Sequence, residues 1–113
     1  MPSLHLLQNL PAPGPEEHFE EILKRPGVRL ERIVSDGQVS PPGFWYQQNY
    51  DEWVVVLQGA GHLEYDNGNI DILAPGDAVL IPAGRRHRVA YTEPRTVWLA
   101  LHFDAPDSAP QLA

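Results

Sequence analysis

One imidazole, one carboxylate, one amide and one phenol stand in this chain at spacings that could bring them together. His87 ends the stretch Gly76-Asp-Ala-Val-Leu-Ile-Pro82-Ala-Gly84-Arg-Arg-His87, which reads as a strand, a turn framed by Pro and Gly, and a strand. Tyr46, Gln48 and Glu52 come from a second stretch, Gly43 to Gly59. Side chains alternate along a strand, so an inward Glu52 puts Val54 and Val56 inside and Trp53 and Val55 outside. Tyr46 and Gln48 share a face by the same count. Inside a small β-barrel the two stretches would converge on one polar site in an apolar interior. Such a set can form a buried hydrogen-bonded network or hold a small ligand directly, and a buried Glu needs partners of one kind or the other.

The elements that would position these groups are short and β-prone. A chain of 113 residues is one domain's worth, long enough to bury a single core. It holds no cysteine, which removes disulfides, thiolate zinc sites and Cys nucleophiles and fits a reducing, cytoplasmic setting. With eight Lys and Arg and a net charge of −7, binding to a phosphate backbone is not expected. No apolar run approaches the ~18 residues that a bilayer needs, and the first ten residues lack the basic start of a signal peptide.

Residues 1–15 read as an arm that packs by Leu4, Leu6, Leu7 and Leu10 and ends in Pro11-Ala-Pro-Gly-Pro15. Glu16 to Lys24 reads as a short helix. Pro15 and two acidic residues suit its start, Lys24 and Arg25 suit its end, and Phe19, Ile22 and Leu23 give it one apolar side. Beyond it the helical signals vanish. Val28–Val34, Phe44–Gln48, Glu52–Leu57, His62–Tyr65, Asn69–Leu73, Ala78–Ile81, Arg86–Tyr91 and Thr96–Phe103 all read as strands. Asn67-Gly68 marks a hairpin and Pro75-Gly76 another turn. Residues 104–113 have the composition of a flexible tail. Short strands separated by turn signals predict an all-β fold, a small antiparallel β-barrel or jelly roll over residues 16–103 with a short N-terminal helix.

These residues resemble the cupin family. Its second motif runs Gly, five residues, Pro-x-Gly, two residues, His, three residues, Asn. Gly76, Pro82, Gly84 and His87 match at that spacing, and Tyr91 replaces the Asn. Its first motif runs Gly, five residues, His-x-His, three or four residues, Glu, six residues, Gly. Glu52 and Gly59 fit, while the two histidines are replaced by Tyr46 and Gln48, or by Trp45 and Gln47 with the longer gap. The resemblance spans about residues 40–103 and is to small single-domain bacterial cupins.

In cupins with the full motifs, His, His, Glu and His bind one divalent metal. Carried over by position, Glu52 and His87 keep two of these roles and Gln48 holds a third through its amide oxygen. The resemblance thus implies a divalent transition metal (Zn, Ni, Fe or Mn) on Gln48, Glu52 and His87. The set falls one His short of the facial triad of iron oxygenases, which argues against a dioxygenase. Lyase- or isomerase-type chemistry needs only a Lewis acid and a base, with Tyr46 and His87 as the catalytic candidates and the Tyr46 phenol as a base whose pKa a nearby cation lowers. The alternative is a non-catalytic barrel that binds or senses a small molecule.

Other residues stay open on sequence alone. His102 shares a strand face with Trp98 and Ala100, and adds an imidazole to the site if that face is inward. His62 and Tyr91 read as structural, and Arg85 and Arg86 either meet an anionic substrate or face water. Trp53, Val55 and Leu57 would form an outward apolar row, a liability on a monomer, so a homodimer is expected.

Overall fold

The computed structural model describes residues 3–104. Eight strands follow one another: β1 (His18–Arg25), β2 (Val28–Ser35), β3 (Asp51–Gln58), β4 (Gly61–Tyr65), β5 (Ile70–Leu73), β6 (Ala78–Ile81), β7 (His87–Thr92) and β8 (Thr96–Phe103). They form two antiparallel sheets, a five-stranded one in the order β1-β2-β8-β3-β6 and a three-stranded one in the order β5-β4-β7. The all-β jelly roll expected from the turn spacing is therefore present, as two facing sheets rather than one closed hydrogen-bonded barrel. The segment from Phe44 to Gln48 is not a strand. It contributes a single bridge, Tyr46 to His87.

The N-terminal helix is absent, and β1 takes its place. The physical reason lies in a bulge. Glu21 pairs with Glu31 and Leu23 with Leu30, so Ile22 is an extra residue in the ladder. One inserted residue shifts the inside–outside alternation, so Phe19 and Ile22, three apart, are both partly buried. In the sequence that spacing imitates a helix. Acidic and basic ends cannot outweigh an eight-residue pairing with β2, since a nine-residue helix is marginal without tertiary support.

The arm is tied down by its carbonyls more than by its leucines. Arg32 donates to the carbonyls of Leu6 and Gln8 at 3.2 and 3.0 Å, and Arg95 to that of Pro11 at 2.6 Å. Leu4 and Leu7 remain exposed. The expected tail lies outside the described residues, apart from Asp104. Among the described residues no helix is long and apolar enough to cross a membrane.

The core sits between the sheets. Ile33, Val54, Val56, Leu63, Leu73, Ile81, Val89, Trp98 and Ala100 are buried, each large side chain contributing roughly 1.5–3 kcal/mol. The alternation inferred for β3 holds, with Val54 and Val56 fully inside. Gly61 is required where it stands, because a Cβ there would come within 2.2 Å of the Trp98 ring.

Cross-strand register divides the inner face of the large sheet into rows. Ile33, Trp98 and Val56 form an apolar row, while Arg29, His102, Glu52 and Ile81 line up across four strands as a polar one. One half of the interior is an ordinary core. The other half is ionisable.

Candidate functional site

The polar half is assembled from both sheets. Glu52 and His102 face each other from β3 and β8, and His87 opens β7 on the opposite sheet. All three side chains have no exposure to solvent. The turn that delivers His87 closes through Arg85 N bonded to Pro82 O at 3.1 Å, with Gly84 at φ 82° where a side chain would be strained. Tyr46 and His87 exchange backbone hydrogen bonds at 2.7 and 3.0 Å, which brings the first stretch over the second. Their rings stack with centroids 5.7 Å apart.

Each buried histidine has one nitrogen engaged and one bare. Nδ1 of His87 lies 2.9 Å from the carbonyl oxygen of Arg85. A carbonyl only accepts, so Nδ1 carries the proton and Nε2 presents its lone pair. That Nε2 is buried and makes no hydrogen bond among the described residues. Burial first, with Arg85 nearby, holds the His87 pKa below the usual imidazole value, so the ring stays neutral. In His102, Nε2 lies 2.9 Å from a carboxylate oxygen of Glu31 and Nδ1 is bare.

Glu52 completes the set. Both of its carboxylate oxygens are buried without a hydrogen bond among the described residues, and one lies 3.7 Å from Nδ1 of His102. Burial pushes its pKa up to about 7, partly offset by His102, by a hydrogen-bonding interaction with the Gln48 amide and by the Arg29 charge. Gln48 donates through Nε2 to the hydroxyl of Tyr50 at 2.9 Å. Burial, then the charges of Glu17 and Glu52, push the Tyr46 phenol up to about 12, so without a nearby cation it is a hydrogen-bond donor.

The remaining candidate side chains make their contacts elsewhere. Tyr91 is exposed and its ring meets that of His62 at 4.8 Å, a surface pair. Arg85 lies over the Tyr65 ring at 4.2 Å, while exposed Arg86 reaches Trp45 at 5.7 Å and Asp66 at 3.8 Å. Sequence reasoning missed Arg29, Glu31 and Tyr50. Their signal was parity: Arg29 and Glu31 share a face with Ile33, and Tyr50 shares one with Gln48 and Glu52.

The donor chemistry fits a divalent ion. An ion would take up the buried lone pair of His87 and the buried carboxylate of Glu52, and the Arg85 carbonyl on Nδ1 is the kind of outer contact that metal-bound histidines carry. Among the described residues no three His, Asp or Glu side chains are grouped to close on an ion. The residues that would hold an ion are Glu52, His87 and, through its amide oxygen, Gln48.

The family model described as a cupin domain matches residues 32–102 of the chain. The chain belongs to the cupin family. Among solved structures, this cupin is similar to a protein of Ralstonia eutropha provisionally named a mannose-6-phosphate isomerase. The two are 44% identical, the match covers 93% of this chain and 100% of that one, and the TM-score is 0.87. It is also similar to KdgF of a Halomonas species, at 26% identity over 83% and 85% of the two chains with a TM-score of 0.72. DMSP lyase DddQ of Ruegeria pomeroyi shares the fold, at 21% identity over 79% and 44% with a TM-score of 0.64. No curated protein matches the chain.

Proposed function

We propose that this cupin acts on a small hydroxylated carbonyl compound in the polar half of its interior, by isomerase- or lyase-type proton transfer at a divalent metal held by Glu52, His87 and Gln48. The observation that carries the reading is a fully buried His87 whose Nε2 lone pair has no hydrogen bond among the described residues, with the Glu52 carboxyl also at zero exposure. A buried acceptor without a donor costs on the order of 1–3 kcal/mol, a cost that an occupant at His87 Nε2 would offset. A bound divalent ion would supply Lewis acidity, polarising a carbonyl so that the adjacent carbon gives up a proton. The chain's own residues do the rest. Arg85 O fixes the His87 tautomer, and the Tyr46 hydroxyl, whose ring stacks on His87, would donate to a substrate oxygen. The provisional name of the Ralstonia eutropha protein is of this reaction class, since isomerising a sugar phosphate moves a proton beside a carbonyl.

The test is proton exchange. Protein loaded with Mn(II) or Zn(II) is incubated in heavy water with sugar phosphates and hydroxy-aldehydes, and proton NMR follows the hydrogen next to the carbonyl. Metal-dependent loss of that signal, absent in His87→Ala, supports the reading. Ligands that raise the melting temperature without any exchange or product would make this a non-catalytic binding cupin.

A further inference from the structure

The turn that delivers His87 also carries a guanidinium that no carboxylate answers. Tyr65 stands opposite His87 in the β4–β7 ladder, so the two side chains share the inner face of the small sheet. Tyr65 is part of the buried cluster between the sheets. The half-buried Arg85 lays its guanidinium over the Tyr65 ring, 4.2 Å from the centroid, which turns the side chain back toward His87. Its charge is felt there and helps to keep the imidazole neutral. The next arginines are matched, Arg86 with Asp66 at 3.8 Å and Arg88 with Glu64 at 2.9 Å. Arg85 has no carboxylate within ion-pair reach among the described residues. Asp71, at the hydroxyl end of the same ring, accepts from Tyr65 at 2.7 Å. The chain has 15 acidic residues against eight Lys and Arg, so a shortage of carboxylates does not explain the open guanidinium.

We infer that Arg85 is the specificity residue for an oxyanion, a phosphate or carboxylate group carried by the small hydroxylated carbonyl substrate away from its reacting end. The inference deepens the function proposed above and rests on it for the rest of the substrate. Stacking uses the flat face of a guanidinium and leaves its N–H donors directed outward in the plane. That planar fork meets two oxygens of either anion at once, and the Tyr65 ring orients it beforehand. With the anion on Arg85, the carbonyl end is presented to His87, two residues along the same turn.

The test uses the full chain, stripped by chelator so that no outcome depends on a metal. Arginine Nε–H resonances are followed by NMR as inorganic phosphate or acetate is added at constant ionic strength. The Arg85 resonance is expected to shift and saturate, and the tighter anion names the substrate class, phosphorylated or carboxylated. Calorimetry with that anion should show binding about 10-fold weaker in Arg85→Gln, partly recovered in Arg85→Lys and unchanged in Arg86→Gln. Arg85→Gln keeps the backbone carbonyl on Nδ1 of His87, so a loss belongs to the guanidinium. A resonance that neither anion moves, or wild-type affinity in Arg85→Gln, would overturn the inference. An equal loss in Arg86→Gln would overturn it too, by assigning the binding to the general charge of the turn. Failure of the proton-exchange test, with anion binding still dependent on Arg85, would overturn the proposed reaction and leave the oxyanion site standing.

Discussion

Nδ1 of His102 lies 3.7 Å from a carboxylate oxygen of Glu52, with neither atom hydrogen-bonded among the described residues. An ionised Glu52 beside that nitrogen is costly to bury, whereas a protonated Glu52 can donate to it, and this sets the sign of several outcomes.

Glu52→Gln is expected to stabilise the metal-free protein at pH 8. The Gln amide can donate to His102 Nδ1, and no charge need be buried. Glu52 has a folded pKa raised to about 7 from 4.5, so its stability contribution is full below pH 4.5 and is lost as pH rises through 7. The variant should therefore melt higher than the wild type by roughly 4 °C or more at pH 8 and equal it near pH 5. Melting curves in chelator check this. A variant that melts lower at pH 8 would show that the carboxylate is satisfied in solution.

Glu17 carries a second pH dependence. Its carboxylate accepts from the Ser35 hydroxyl, which itself accepts from the Trp98 indole at 3.1 Å. Burial outweighs that bond and pushes Glu17 up to about 7. The folded value lies above the unfolded one, so stability falls as pH rises from 4.5 to 7. Glu17→Gln keeps an acceptor for Ser35 and should flatten that part of the wild-type stability profile in urea titrations. An unchanged slope would assign it elsewhere.

Gly61→Ala should be far costlier than Gly37→Ala. The first pushes a methyl to 2.2 Å from the Trp98 ring, while the second meets nothing within 4 Å and strains only a φ of 92°. Overpacking gives about 3 kcal/mol for Gly61, against roughly 1 kcal/mol for Gly37. Urea midpoints at constant m-value measure both, and similar losses would contradict the packing account.

The outward apolar row expected on β3 is not the exposed surface. Val55 is buried, and Leu57 lines a hollow together with arm residues Leu4 to Leu7. Trp53 instead joins Leu80, Leu101 and Phe103 around an open hollow of about 730 Å³ on the outer face, beside β6 at the sheet edge. We propose that two copies meet there. Sedimentation at micromolar concentration should find a dimer, and Leu80→Glu should give a monomer. A monomeric wild type would end the proposal.

Much of this was legible in the sequence, for physical reasons that differ by element. The turn residues around Gly76, Pro82 and Gly84 allow few backbone paths, so His87 could be placed from them. Alternation placed Glu52 with Val54 and Val56. The first strand was illegible because the bulge at Ile22 erased its alternation. His102 stayed ambiguous because Val97, Leu99 and Leu101 are as apolar as Trp98 and Ala100, so neither face of β8 declares itself inward. Arg29 and Glu31 were passed over because charges on a strand usually face water, and only the pairing of Glu31 with His102 shows why these do not.

The most direct measurement is metal content at equilibrium. Wild type, His87→Ala and Glu52→Gln, each stripped and dialysed against micromolar Zn(II), are analysed for bound metal. One ion per chain in the wild type, and little in either variant, is the predicted result. A wild type without metal, or variants that retain it fully, would contradict the site at Glu52 and His87.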